Sequence, residues 1–158
     1  MSSLPDKSFY HALPAKRMGA GCLFFNAAGQ VLLVKPTYKS QWGIPGGIVE
    51  NNESPRQGCQ REISEELGLN CAVGALLVVD YNSETPTKTE SLMFIFDGGT
   101  LPASAIEAIR LNPDELSEFR FFDVAALPAE MADVLRNRVL WAWQQLEKGT
   151  GIYLEDQR

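Results

Sequence analysis

Residues 46–69 read Gly46-Gly47-Ile48-Val49-Glu50-Asn51-Asn52-Glu53-Ser54-Pro55-Arg56-Gln57-Gly58-Cys59-Gln60-Arg61-Glu62-Ile63-Ser64-Glu65-Glu66-Leu67-Gly68-Leu69. Ser54 is a strong N-cap residue, and Pro55 suits the first helical position, where its missing N–H costs nothing. The helix that begins there runs to about Leu67, and Gly68 supplies the left-handed residue that closes it. Glu62, Glu65 and Glu66 then stand at i, i+3 and i+4, with neighbouring Cβ atoms roughly 5–6 Å apart. Like charges at that spacing repel, and they lie in the last turns, where the helix dipole disfavours anions. A hard divalent cation, Mg²⁺ or Mn²⁺, reverses the sign of the interaction and accepts carboxylate oxygens readily. On spacing alone, a solvated acidic face fits these three glutamates as well as a metal site does.

The whole stretch is more specific than its glutamates. It resembles the Nudix box, G-x5-E-x7-R-E-U-x-E-E-x-G-U with U a bulky aliphatic residue, the signature of the Nudix hydrolase superfamily. Gly47, Glu53, Arg61-Glu62-Ile63, Glu65-Glu66 and Gly68-Leu69 fill every specified position. Trp42-Gly43-Ile44-Pro45-Gly46 is similar to the family's usual approach to the box.

The resemblance implies an α/β/α sandwich with a mixed sheet between helices. It also implies a Mg²⁺- or Mn²⁺-dependent hydrolase that cleaves the pyrophosphate link of a nucleoside diphosphate joined to a group X. Carried over by position, the metal ligands are Glu62, Glu65 and Glu66 with the carbonyl of Gly46, Arg61 gives structural support, and Glu53 supports the site or activates water. A further acid from outside the box is expected as ligand or general base. Glu115 is the first choice, followed by Glu118 and Glu90, so the candidate catalytic acids are Glu53, Glu65 and Glu115. The alternative function is a nucleotide-binding sensor of the same fold with little or no catalysis, against which the complete box counts. A Nudix-fold isomerase would need a placed reactive cysteine, which no position here supplies. Many relatives dimerise, so a homodimer is one expectation.

The remaining sequence sets bounds. The 158 residues, 45% hydrophobic, suit one globular domain with a substantial core. The expected divisions are an N-terminal arm at 1–16, the catalytic domain at 17–148 and a tail at 149–158. A net charge of −6 argues against a nucleic-acid or membrane partner and for a small nucleotide or nucleotide-sugar substrate held through a cation. Cys22, Cys59 and Cys71 follow no zinc spacing, and there is one histidine. With no signal-peptide pattern and no apolar run long enough to span a bilayer, the expected location is cytoplasmic.

In chain order, Phe9, Tyr10 and His11 either pack on the domain edge or stay mobile, with folding over a pocket as the rarer alternative. The apolar runs Met18–Phe25 and Val31–Val34, separated by Asn26-Ala27-Ala28-Gly29, read as paired buried strands. Lys35, Tyr38 and Lys39 lie in the loop leading to the box and are candidate substrate contacts, lysine being a point charge suited to phosphate. Ala72–Tyr81, Leu92–Phe96 and Phe119–Val124 read as strands, the second stopping at Asp97-Gly98-Gly99. Asn82–Thr89 reads as a loop, Ala105–Leu111 as a short helix or a strand, and residues 112–118 as a compact acidic loop. Met131, Val134, Leu135, Val139, Ala142, Trp143 and Leu146 recur at helical spacing, placing a helix at 129–148.

Overall fold

The computed structural model describes residues 6–157. In chain order these form α1 (Lys7–His11), β1 (Arg17–Phe25), β2 (Val31–Pro36), β3 (Gly46–Ile48) and α2 (Pro55–Leu67). They continue through β4 (Leu76–Asn82), β5 (Ser91–Thr100), α3 (Ala103–Glu107), β6 (Leu116–Phe122), a 3₁₀ turn at Val124–Ala126, α4 (Asp133–Lys148) and β7 (Ile152–Glu155). Residues 1–5 of the expected N-terminal arm and residue 158 of the expected tail lie outside the described residues.

The sheet is mixed, in the order β6-β2-β1-β5-β4-β7, with β3 on β1. β1 pairs with β5, and β4 with β7, in parallel; the other pairs are antiparallel. Side-chain alternation along β1 and β2 divides the core into two layers. Ala20, Cys22, Phe24, Leu32 and Val34 pack with Cys59, Ile63 and Leu67 of α2. Leu23, Phe25, Val31 and Leu33 pack with Val139 and Ala142 of α4. Both faces are therefore apolar, which is why these strands read as unbroken hydrophobic runs, and the result is the α/β/α sandwich that the resemblance implied. α4 is fastened to the sheet by a buried ion pair, Arg138 Nε donating to Asp80 Oδ2, and by Arg138 Nη2 donating to Asn82 Oδ1 at 2.6 Å.

β1 and β2 form the expected pair, but their register contact is confined to Phe25 and Val31. Beyond it they splay, and the chain before the box fills the gap. Gly43 bridges Val34 of β2, while Gly46, Gly47 and Ile48 pair with Gly21, Ala20 and Gly19 of β1. This wedge is what delivers the start of the box to the middle of the sheet.

Several boundaries differ from expectation. β4 begins at Leu76 rather than residue 72. β5 runs through Asp97-Gly98-Gly99 to Thr100, with a register shift after Leu23 in its partner β1. Gly98 belongs inside this strand because a Cβ there would lie 2.4 Å from Phe24 Cδ1, so the missing side chain makes room for the phenyl ring. β6 starts at Leu116, earlier than residue 119, and α3 resolves the helix-or-strand ambiguity as a helix. α4 begins at Asp133, because Met131 is held in an extended bridge to Trp42. The tail contains β7, paired to β4. Within the arm, α1 is capped by Asp6, whose Oδ1 accepts from the amides of Ser8 and Phe9, and Phe9 and Tyr10 stay exposed. No helix among the described residues is long and apolar enough to cross a membrane.

Candidate metal centre

Helix α2 forms as its local sequence dictates. Ser54 Oγ accepts from Gln57 N while the Gln57 side chain accepts from Ser54 N, a closed capping box. At the other end Gly68 adopts φ +67° and its N–H bonds Ser64 O. Cys59, Ile63 and Leu67, four residues apart, make the buried stripe.

The stripe determines what each glutamate can do. At roughly 100° per residue, Glu66 lies about 20° from its near edge, Glu62 about 60° and Glu65 about 120°. Exposure follows that order: Glu66 is 8% exposed, and the Glu62 and Glu65 side chains are 15% and 50% exposed. Glu66 Oε2 accepts from Gly46 N at 2.8 Å, so the box's first residues and its last acid are joined directly. Glu62 packs flat on Gly47, where a Cβ would lie 2.4 Å from its Oε1; only a glycine leaves space for that carboxylate.

A second segment completes the cluster. The last carbonyls of α2 lack intrahelical partners, and the chain before β6 satisfies two of them: Arg110 N donates to Leu67 O at 2.9 Å and Asn112 N to Glu66 O at 3.1 Å. Asn112 then organises a turn, accepting from Asp114 N through its side chain and from Glu115 N and Leu116 N through its carbonyl. This docking brings Glu115 to α2. Carboxylate oxygens of Glu62, Glu66 and Glu115 all lie within 4.8 Å of one another.

Glu65 is outside that cluster. Its Oε2 accepts from Arg61 Nη1 at 2.9 Å, beside solvent. Arg61 spends its whole fork on the neighbourhood, meeting Glu53 through Nε and Nη2 at 3.2 and 2.9 Å, Glu62 Oε1 at 3.1 Å and the Ile48 carbonyl at 2.9 Å. Glu53 Oε1 also accepts from Glu50 N at 2.6 Å. These bonds hold the Glu53 carboxyl below its ordinary range, Arg61 contributing most, which makes it a weak base and a firm strut.

The cluster acids shift the other way. Burial raises Glu62, partly offset by Arg61. Glu66 is pushed up to about 7, first by burial and then by the charges of Glu62, Glu115 and Glu65, against the lowering bond from Gly46. Three oxygen donors crowded together, one of them buried and short of cationic partners, fit a hard divalent ion.

The other candidates are placed elsewhere. Glu118 pairs with Arg120. Glu90 accepts from Lys16 and, at 2.7 Å, from the Tyr81 hydroxyl. Lys35 follows Val31 and Leu33 in alternation and so leaves on the α4 face, its Nζ 5.4 Å from the Trp42 ring centroid. Tyr38 is 78% exposed, with Lys39 Nζ 5.7 Å from its ring. Sequence reasoning passed over Thr37 and Asn112. Thr37 N donates to Glu115 O at 2.8 Å, and its hydroxyl reaches Asp114 O and Glu115 O at 3.0 and 3.3 Å. The Asn112-Pro113 pair carries a turn signal, whereas nothing local marks Thr37.

Residues 15–144 match the NUDIX domain family. The chain is 32% identical over 94 residues to a putative 8-oxo-dGTP diphosphatase of Bacillus subtilis, covering 60% of this chain and 63% of that protein. It is 31% identical over 122 residues to an ADP-ribose pyrophosphatase of Methanocaldococcus jannaschii, covering 71% and 67%. The match thus spans about two thirds of the length of either relative. The crystal structure of a UDP-X diphosphatase superposes with a TM-score of 0.74 at 22% identity, covering 97% of this chain and 77% of that one.

Proposed function

Since the chain belongs to the NUDIX domain family, we propose that it is a Mg²⁺- or Mn²⁺-dependent pyrophosphohydrolase acting on a nucleoside diphosphate linked to a group X. The observation that carries this reading is the meeting of Glu62, Glu66 and Glu115 within 4.8 Å. The named activities of the relatives, on 8-oxo-dGTP and ADP-ribose, are both pyrophosphate cleavages and support the same class.

In this reading Glu62, Glu66 and Glu115 hold the cation, and the carbonyl of Gly46, whose N–H bonds Glu66, is a further ligand. When bound, the cation stabilises charge developing on the phosphate oxygens and makes a water easier to deprotonate. The Gly46 N–H keeps Glu66 Oε2 in place, and Arg61 bonds Glu62 Oε1 while tying Glu53 and the Ile48 carbonyl to the helix. The alternative role for Glu115, the exposed member, is general base, receiving a proton from the attacking water instead of holding the cation. Glu65, bonded to Arg61 at the solvent edge, acts as a supporting charge or as a ligand to a second ion. Tyr38 and Lys39 stand on an exposed loop fastened to the Glu115 turn and are the contacts for phosphate or X; Lys35, directed to the α4 face, is the more remote of the three. A cytoplasmic location belongs to this reading and suits the three free cysteines.

The test is a panel of ADP-ribose, a UDP-sugar and 8-oxo-dGTP, assayed for nucleoside monophosphate with Mg²⁺ and with chelator. Release from at least one substrate, abolished by chelator and restored by Mg²⁺ or Mn²⁺, is expected. Turnover undiminished in chelator overturns the reading.

A further inference from the structure

The acid cluster is built from two pieces of chain, a helix packed on the core and an exposed turn. Glu62 and Glu66 project from a capped helix packed against the sheet. Glu115 projects from an exposed turn, and two like-charged carboxylates push it outward. Something must hold that turn in place. On one side Asn112 N–H ties it to the Glu66 carbonyl. On the other side the bonds come from Thr37. Its amide donates to Glu115 O at 2.8 Å, and its hydroxyl reaches Asp114 O at 3.0 Å and Glu115 O at 3.3 Å.

Thr37 is the first residue after β2, and β2 runs antiparallel to β6 with Pro36 opposite Leu116. The register shifts at that pair, between Lys35 and Pro36. Where the ladder becomes irregular, Pro36 can donate no backbone hydrogen bond. The Thr37 amide and hydroxyl extend the pairing past this point and reach the residue whose side chain enters the cluster. The next two residues, Tyr38 and Lys39, are exposed.

We propose that Thr37 is a positioning residue for Glu115, holding the third carboxylate against the repulsion of Glu62 and Glu66 and thereby setting the affinity of the cluster for a divalent cation. This rests on the metal-dependent reading above. Thr37 touches neither cation nor reacting atoms; it acts through the Asp114–Glu115 backbone.

Thr37→Val keeps shape and amide but removes the hydroxyl, and at an exposed position it leaves the core intact. Mn²⁺ binding to the substrate-free protein, followed by electron paramagnetic resonance, should weaken by about three- to tenfold, the range one neutral hydrogen bond gives. Thr37→Ser, which retains the hydroxyl, should return to within about twofold of the parent. In a Glu115→Gln background, itself weakened, Thr37→Val should add little, since residues acting through one group are not additive. Circular dichroism and thermal melts confirm that each variant is folded, and Thr37→Ala repeats the test should Thr37→Val not be. If the parent binds no Mn²⁺, the metal reading fails and this proposal with it. If Glu115→Gln binds as the parent does, Glu115 is no ligand and Thr37 has nothing to position. If the parent binds and Glu115→Gln is weakened, while Thr37→Val matches the parent or adds its full effect to Glu115→Gln, the role of Thr37 alone is overturned.

Discussion

Replacing Glu66 by Gln tests whether the buried acid is a cost that the fold bears for its ligand. Gln retains an oxygen to accept from Gly46 N–H and offers an amide that can donate towards Glu62 or Glu115, so the exchange removes charge without opening a cavity. In the folded protein burial pushes the Glu66 carboxyl up to about 7, from an ordinary value of 4.5. A raised acid pKa means that the folded state binds the proton more tightly than the unfolded state. Below about pH 4.5 both states are protonated and nothing is lost. Between about pH 4.5 and 7 the metal-free protein loses stability as pH rises, and above 7 the loss is complete. At 1.36 kcal/mol per unit it amounts to about 3 kcal/mol as an upper figure. Glu62 is raised too and adds to the trend, whereas struts such as Glu53 oppose it. The difference between parent and variant isolates Glu66. Denaturant unfolding at pH 4, 5, 6, 7 and 8 in chelator should show Glu66→Gln more stable than the parent above pH 7, the gap closing towards pH 4.5. Saturating Mg²⁺ should stabilise the parent far more than the variant. Parallel curves for the two proteins across the range refute both the buried charge and its compensation by a cation.

Two further substitutions probe the surroundings of the cluster. Glu115→Gln should lower the maximal rate by about 10²–10⁴-fold if the acid accepts the proton of water, with the loss persisting at high Mg²⁺; recovery at high Mg²⁺ identifies it as a ligand, and a parent-like rate against Mg²⁺ concentration removes it from the site. Arg61→Lys keeps a charge but loses the fork that meets Glu53, Glu62, Glu65 and the Ile48 carbonyl, so stability should fall by about 1–2 kcal/mol, a moderate figure because the cluster is partly solvated. Denaturant unfolding at pH 7 measures it, and an unchanged midpoint would show the four contacts to be incidental.

What could be read from the sequence was what is locally encoded. α2 is fixed by residues within itself, namely Ser54, Pro55, Gln57 and Gly68, and its observed limits match the expected ones. The buried strands β1 and β2 were equally plain, because both of their faces meet helices. β3 was invisible: Gly46-Gly47-Ile48 has no strand preference, and its pairing comes from β1. β7 is four residues long and depends on parallel contact with β4. At the site, helical spacing grouped all three glutamates, but spacing along a helix does not say where the buried stripe falls. Cys59, Ile63 and Leu67 place it next to Glu66, which turns Glu65 out to Arg61. Glu115 was a choice among loop acids; its arrival at α2 depends on Asn112 and Thr37, contacts distant in sequence.

The arrangement of charges also divides the box into two functions. Three carboxylates, from Glu53, Glu62 and Glu65, meet the Arg61 guanidinium, while Glu66 and Glu115 cluster with Glu62. Arg61 meets Glu53, Glu62 and Glu65, and its guanidinium is held charged far above any physiological pH by those same partners. It therefore fixes the outer acids permanently. Among the described residues Glu66 and Glu115 receive no such partner, although they share a cluster with Glu62, and the only hydrogen bond to the Glu66 carboxylate there is the neutral one from Gly46. A second arginine here would stabilise the metal-free protein by pairing with them, and it would occupy the space a cation needs. The excess negative charge is therefore concentrated where a removable cation can answer it, while the fixed cation is spent on holding the frame. Glu62 belongs to both sets, and through it the rigid network of Arg61 reaches the cluster.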